Sequence, residues 1–229
     1  MLKIDTQTGE IFVYDVIGAN WYGDGITALN MAEALKQIGD KKAILRINSP
    51  GGSADEGIAI YNLLKRHASG VETHNDALAA SAASVIFLSG QTRYAAKGSR
   101  VMIHNASSAI WGSAKSLRKE ADILDTYDKS QAEIYSGYLG KTNEEVLALL
   151  DAETWYTSEE AVTAGLASSM TETVQVKPNV AAWFRNPPKS LVDDVKLEPV
   201  AADTFKKWAK RPLAAEIAKA KSDTARLTR

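Results

Sequence analysis

Over residues 1–175 of this chain, short runs of β-branched and apolar residues alternate with segments whose apolar residues recur at helical spacing. This alternation constrains the fold strongly, because strands joined through crossover helices pair in parallel and are covered by those helices. The expected strands fall at residues 11–14, 43–47, 71–74 and 100–104, and the expected helices at 27–38, 54–67 and 114–138. In the first helix, we expect Leu29, Ala32 and Leu35 to lie on one face. The sequence therefore predicts an α/β fold with a parallel sheet core.

Residues 176–229 differ from the preceding part, because they hold five of the six prolines in the chain. Within them, only the stretches 203–210 and 212–221 show helical spacing. We therefore expect one compact domain over 1–175, followed by a Pro-containing C-terminal tail over 176–229 that is partly flexible.

The overall composition excludes several classes of protein. The formal net charge of −1 lacks the basic excess that nucleic-acid-binding proteins show. The absence of cysteine excludes disulfides, thiolate catalysis and cysteine-based metal sites. No segment approaches the roughly 18 apolar residues that span a bilayer, and the first residues lack the apolar core of a signal peptide. We therefore expect a soluble, cytoplasmic protein that binds neither nucleic acid nor membrane.

Histidine is the base that a catalytic serine usually needs, and the chain has three. We expect His67, near the end of a helix, to be solvated, and His74, at the end of a short strand, to be structural. His104 ends the strand that begins at Arg100 and precedes a polar run, the position at which catalytic groups gather on a parallel sheet. By position alone, His104 is still more often structural than catalytic.

Ser81 lies in an alanine-rich segment, where a serine commonly serves only as a small packing residue. The small neighbours at 79–80 and 82–83 would also let a substrate backbone approach its hydroxyl closely. The apolar run that begins at Ser81 predicts a buried helix with this serine at its N-terminus. The N–H groups and the dipole of such a helix end would stabilise the anion that forms during acyl transfer.

The sequence Asn-Ser-Pro-Gly-Gly at 48–52 follows the second expected strand. Pro-Gly-Gly forms tight turns readily, so a purely structural turn is one interpretation. In the other, a glycine N–H points into a cleft and stabilises an oxyanion. The spacing alone favours neither.

Three segments of the chain together resemble the signature segments of the Clp peptidase family. They are 47–52, 79–81 and 100–104, and they occur in the order of the family and at nearly its spacing. The similarity extends from about residue 11 to residue 170. It implies the ClpP/crotonase-like fold, in which repeated β-β-α units build a parallel sheet core and a handle helix protrudes, here the helix at 114–138.

The resemblance also assigns roles to residues. It implies that Ser81 is the nucleophile, that His104 is its general base, and that the backbone N–H groups of Gly52 and Ala82 form the oxyanion hole. The family usually has an aspartate two residues before an aromatic residue, and here Glu153 stands two residues before Trp155. We therefore favour Glu153 as the third member of the triad and keep Asp151 as the alternative. No metal or cofactor is implied.

Two segments, 17–27 and 152–155, resemble the Clp-related proteases of tailed phages and prophages, which process capsid or scaffold proteins. The resemblance thus favours a phage-type serine endopeptidase, with a housekeeping Clp proteolytic subunit that works with an ATP-driven unfoldase as the alternative. It also implies homo-oligomeric rings, with two rings able to stack through the handle helix, unless this helix only covers its own sheet. The rival functions are a crotonase-type acyl-CoA enzyme and an inactive structural homologue, for which the glutamate at 153 is the main support.

Overall fold

The computed structural model describes residues 2–20 and 23–172 of the chain. The predicted tail over 176–229 and the boundary at residue 175 lie outside these residues. In the described part, no helix is long and apolar enough to cross a bilayer.

Ten strands are present in the described residues, eight of them in one sheet and two in a small separate hairpin. In chain order they are β1 (Lys3–Asp5), β2 (Glu10–Val13), β3 (Ala19–Asn20), β4 (Gly23–Asp24), β5 (Ala43–Ser49), β6 (Val71–Ala80), β7 (Thr92–Ala96), β8 (Arg100–Ile103), β9 (Thr154–Thr157) and β10 (Ser169–Thr171). The hairpin consists of β3 and β4.

The helices of the described part alternate with these strands. They are α1 (Ala28–Ile38), α2 (Ala54–Lys65), α3 (Ala82–Phe87), α4 (Ala114–Leu139), α5 (Asn143–Asp151) and α6 (Ser158–Thr163). The bounds of α1 and α4 match the predicted helices closely, and a capping box at Thr27 fixes the start of α1.

The main sheet follows the order β1-β2-β5-β6-β7-β10, and every pair from β2 onward is parallel. The predicted α/β fold with a parallel sheet core is therefore confirmed. The long strand β6 divides the sheet, because its first half pairs with β7 and its last residues pair with β8. Strand β8 then pairs antiparallel with β9. This branch carries the candidate site.

The apolar residues of α1 differ in burial. Leu29 is 69% exposed and Leu35 is partly buried against the core, whereas the fully buried side chains of α1 are those of Met31, Ala34 and Ile38. Both sets of residues have helical spacing, so periodicity alone could not choose between two apolar stripes on the same helix. The position of the sheet makes that choice.

Candidate active site

Ser81 lies at the junction between β6 and α3, where the chain turns sharply. Its backbone N–H donates to the carbonyl oxygen of Met102 at 2.9 Å, and its φ angle is +54°. A positive φ costs free energy in a residue other than glycine, and such strain concentrates at functional sites. In the described residues, the other non-glycine residue with positive φ is Glu153.

The side chain of Ser81 meets that of His104. The parallel pairing of Ala80 with Met102 places the carboxyl ends of β6 and β8 side by side, and each residue lies just beyond its strand. His104 Nε2 lies 2.8 Å from Ser81 Oγ. At this distance the imidazole can take the hydroxyl proton while the oxygen attacks a carbonyl carbon.

The glycine turn after β5 packs directly on this junction. A β carbon on Gly51 would lie 2.6 Å from the carbonyl oxygen of Ala80 and 2.7 Å from Ser81 Cβ, so no larger residue fits. Beside it, Ile17 N–H donates to the Gly51 oxygen and the Ile17 oxygen accepts from Ser53 N–H, both at 2.8 Å. Ile17 thus pairs with the residues on either side of Gly52, and the backbone N–H of Gly52 takes no part in this pairing. Gly52 itself lines the cleft next to Ser81.

Ala82 is the first residue of α3, so its N–H has no acceptor within the helix. It also lines the cleft. Behind it, a β carbon on Gly57 of α2 would lie 2.8 Å from Ala82 Cβ, which shows how tightly α2 and α3 are packed. The structure thus places Gly52 and Ala82 beside Ser81 in the cleft wall, as an oxyanion hole requires.

The two candidate acids differ sharply in their surroundings. Glu153 is 5% exposed, and one of its carboxylate oxygens accepts from Trp155 Nε1 at 3.2 Å. The antiparallel register pairs Ile103 with Thr154, and His104 and Glu153 are the residues that adjoin this last pair of the ladder. Asp151 is exposed at the end of α5, where it accepts from Asn105 Nδ2 at 3.4 Å.

The segment after His104 is held by α4 and α5. Asn105 N–H donates to the carbonyl oxygen of Leu150 at 3.2 Å, and Ala106 N–H donates to Asp128 Oδ1 at 2.6 Å. Asp128 is 8% exposed, and burial raises the pKa of its carboxyl group. Sequence patterns did not identify Asp128, because a single acid within a polar helix normally faces solvent.

Ser81 and His104 open into a cleft of about 520 Å³. One wall is formed by the glycine turn and the start of α2, and the other by residues 106–108 and one face of α4. Within the described residues, no group of acidic or histidine side chains is arranged to hold a metal ion.

The other two histidines are engaged elsewhere. His67 Nε2 lies 2.7 Å from the carbonyl oxygen of Lys41 at the surface. His74 Nε2 lies 2.8 Å from Glu72, and its ring stacks on Tyr94 with centroids 4.8 Å apart. Neither lines the cleft, whereas His104 does.

A branched parallel sheet thus carries a strained serine at the end of one strand and a histidine in contact with it at the end of the neighbouring strand, which is the pair that serine peptidases use. The chain belongs to the Clp protease family, whose model matches residues 4–174. The predicted ClpP-like fold is thereby confirmed. A solved structure of a ClpP1 mutant from Listeria monocytogenes superposes with a TM-score of 0.63 at 20% identity, covering 73% of this chain and 94% of that one.

Curated relatives carry the same family name. "ATP-dependent Clp protease proteolytic subunit 2" of Corynebacterium efficiens is 35% identical over 125 residues, which are 53% of this chain and 62% of the relative. "ATP-dependent Clp protease proteolytic subunit 1" of Chlamydia abortus is 34% identical over 178 residues, which are 72% of this chain and 92% of the relative. The chain thus spans less than two thirds of the C. efficiens relative and most of the C. abortus one.

Proposed function

We propose that this chain is a proteolytic subunit of the ATP-dependent Clp type, which hydrolyses peptide bonds through an acyl-enzyme. The observation that carries the proposal is the 2.8 Å contact between Ser81 Oγ and His104 Nε2 at the cleft. A crotonase-type acyl-CoA enzyme has no need of this pair, and a purely structural homologue has no need of the strained backbone at Ser81.

In the proposed mechanism, His104 Nε2 takes the proton of Ser81 as the serine oxygen bonds to the substrate carbonyl carbon. The N–H groups of Gly52 and Ala82 stabilise the oxyanion of the tetrahedral intermediate. When the intermediate collapses, the C–N bond breaks and His104 gives its proton to the departing amine. Water then attacks the ester with His104 as base, and the acid product leaves with Ser81 restored.

Glu153 is the proposed third member of the triad. Its burial and its position beside the Ile103–Thr154 pair, next to which His104 also lies, support this role, whereas Asp151 is exposed and contacts Asn105. A buried carboxylate beside the imidazole holds the productive tautomer and stabilises the imidazolium. No metal or cofactor takes part in these steps.

The proposed partners follow from the site and from exposed surface. The cleft of about 520 Å³ has room for a few residues of a substrate chain, and the relatives reported above are named as subunits of ATP-dependent proteases, so an ATP-driven unfoldase is the proposed partner. Homo-oligomeric rings, with two rings stacked through α4, are supported by apolar side chains exposed around the start of this helix: Ile110, Trp111, Leu117 and Ile123. The proposed location is the cytoplasm.

The relatives bear on the choice between the two subtypes. Those reported above are named as proteolytic subunits of ATP-dependent Clp protease, and none is named as a phage protease. Processing of capsid or scaffold proteins, which the segments 17–27 and 152–155 suggested, therefore finds no support among them. The housekeeping type is the better-supported alternative.

The test is covalent labelling of the intact chain with an alkyl fluorophosphonate, followed by peptide mapping. We expect the label on Ser81, and we expect Ser81→Ala to abolish both labelling and casein hydrolysis. Ser84→Ala removes a nearby hydroxyl that does not line the cleft and serves as control for the labelled position. Label on Ser84, or no label at all, would refute the proposal. Light scattering on the same samples tests the ring, which a monomeric mass would exclude.

A further inference from the structure

We propose that the cleft selects, beside the scissile bond, a substrate side chain that carries N–H donors, with lysine and arginine preferred. Gln131 provides the acceptor, and the carboxylates of Asp55 and Glu120 provide the charge preference. The inference rests on the proposed function, because it concerns the substrate of the Ser81 site.

Gln131 lies close to the nucleophile along α4. Four residues further on, the Tyr135 hydroxyl lies 2.6 Å from Ser84 Oγ, which donates to the Ser81 carbonyl oxygen. Residues four apart lie on the same face of a helix, about one turn or 5.4 Å along its axis. Gln131 is thus one turn from the residues that support Ser81, and it lines the cleft.

The side-chain amide of Gln131 makes no hydrogen bond to another described residue. The residue is only 5% exposed. Its amide atoms are not among the buried side-chain atoms without a partner, so they are accessible from the cleft. Because Gln131 borders the cleft, a substrate group that enters there can satisfy its oxygen.

The charges around the cleft decide which group is favoured. Among the described residues, the acidic and histidine side chains that line it are those of Asp55, Glu120 and His104, and no lysine or arginine does so. Tyr127 OH donates to Asp55 Oδ2 at 2.9 Å, which holds that carboxylate at the cleft wall. A cleft lined by one sign of charge focuses its field on an entering ligand. Acidic substrate side chains are therefore repelled, although Gln131 could donate to them.

The cleft wall also suits the stem of a long basic side chain. Leu124 and Tyr127 line the same face of α4 between Glu120 and Gln131. Methylene groups of lysine or arginine pack on such apolar surface while the charged end keeps polar contacts. A leucine side chain would fill the same space but would displace water from the Gln131 amide without replacing its hydrogen bonds, which disfavours leucine.

The test uses peptide diphenyl phosphonates, which react with the catalytic serine and differ only in the side chain beside the reactive phosphorus. Second-order inactivation rates of the intact protein are measured for lysine, glutamine, leucine and glutamate. We expect lysine to react fastest, about tenfold faster than leucine, with glutamate slowest. In Gln131→Leu, the ratio of the lysine rate to the leucine rate should fall by about tenfold.

The charge contribution is tested separately. Glu120→Gln should lower the lysine rate and its dependence on salt, whereas Glu133→Gln removes the same charge from an exposed position on α4 and should leave the ratio unchanged. A wild-type protein that prefers leucine, or a Gln131→Leu variant with an unaltered ratio, overturns the inference. An alkyl fluorophosphonate carries no peptide side chain. When one of these overturning results is obtained and the fluorophosphonate still labels Ser81 in the same sample, only the specificity inference fails. When the fluorophosphonate does not label Ser81, the proposed function fails.

Discussion

The hydroxyl oxygens of Ser84 and Tyr135 lie 2.6 Å apart in the buried space between α3 and α4. Ser84 uses its one proton to donate to the Ser81 carbonyl oxygen at 2.6 Å, so Tyr135 must be the donor to Ser84. Burial raises the pKa of Tyr135, which keeps its hydroxyl protonated. Two successive hydrogen bonds thus connect α4 to the backbone of the proposed nucleophile.

Tyr135→Phe removes the first of these bonds and keeps the aromatic ring. We expect a loss of about 1 kcal/mol in the free energy of unfolding, measured in urea. We also expect a several-fold fall in kcat with little change in KM, because Ser81 loses part of its support. Tyr138→Phe is the matched control, since Tyr138 OH donates to the carbonyl oxygen of Leu88, away from Ser81. An equal fall in kcat in both variants would contradict the proposed connection.

Glu153→Gln tests the third member of the triad. The amide is similar in size but cannot stabilise the imidazolium, so we expect kcat to fall by roughly two to four orders of magnitude. Asp151→Asn replaces the exposed alternative acid and should lower kcat by no more than a few-fold, through the altered contact with Asn105. Turnover of a fluorogenic peptide by both variants provides the measurement. If the two effects were reversed, Asp151 would be the catalytic acid.

Gly57→Ala tests the packing of α2 against the oxyanion hole. The added β carbon would lie 2.8 Å from Ala82 Cβ, so the two helices must separate. We expect an overpacking cost of about 1–3 kcal/mol, which outweighs the gain in helix propensity, and a slower reaction of Ser81 with fluorophosphonate.

Gly137→Ala is the control for that experiment. Gly137 also lies within a helix, but an added β carbon would meet no atom within 4 Å. We expect this variant to gain about 0.5–1 kcal/mol, as alanine normally does in a helix. If Gly57→Ala were equally stabilising, the contact with Ala82 would not constrain the site.

The positions that sequence analysis identified at this site are those that local patterns define. The alanine-rich context of Ser81, the glycine turn and the strand before His104 are each contiguous, so each could be recognised without the fold. Strand β6 is longer than the predicted 71–74. The sequence did not indicate its last residues as strand, because most of them are alanines, which have little strand propensity. Pairing with β8 keeps them extended.

The supporting residues could not be found in this way, because their partners come from distant parts of the chain. Tyr135 meets Ser84 across 51 residues, and Asp128 meets Ala106 across 22. In α4, Leu117 is 44% exposed. The same helix buries two polar residues, Asp128 and Gln131, and the contact of Asp128 with Ala106 depends on the position of the loop after His104.

Asp128 provides a prediction about pH. Burial raises the pKa of its carboxyl group, and the charges of Asp125 and Asp151 act in the same direction, while the bond from Ala106 N–H opposes them. The folded protein therefore binds this proton more tightly than the unfolded chain. As pH rises from about 4 through the folded-state pKa, this group lowers the stability, and above that pKa the loss is complete and constant.

Asp128→Asn keeps an oxygen that can accept from Ala106 N–H but does not titrate. Its stability relative to the wild type should therefore be greater at pH 7 than at pH 4, measured by urea unfolding at both values. Asp128→Ala loses the acceptor and should be less stable than Asp128→Asn by about 1–3 kcal/mol. Asp122→Asn makes the same chemical change at an exposed position of α4 and is expected to follow the wild type at both pH values. If Asp128→Asn also followed the wild type at both pH values, folding would not raise the pKa of Asp128; if Asp128→Ala were as stable as Asp128→Asn, the side chain would have no part in holding the loop after His104.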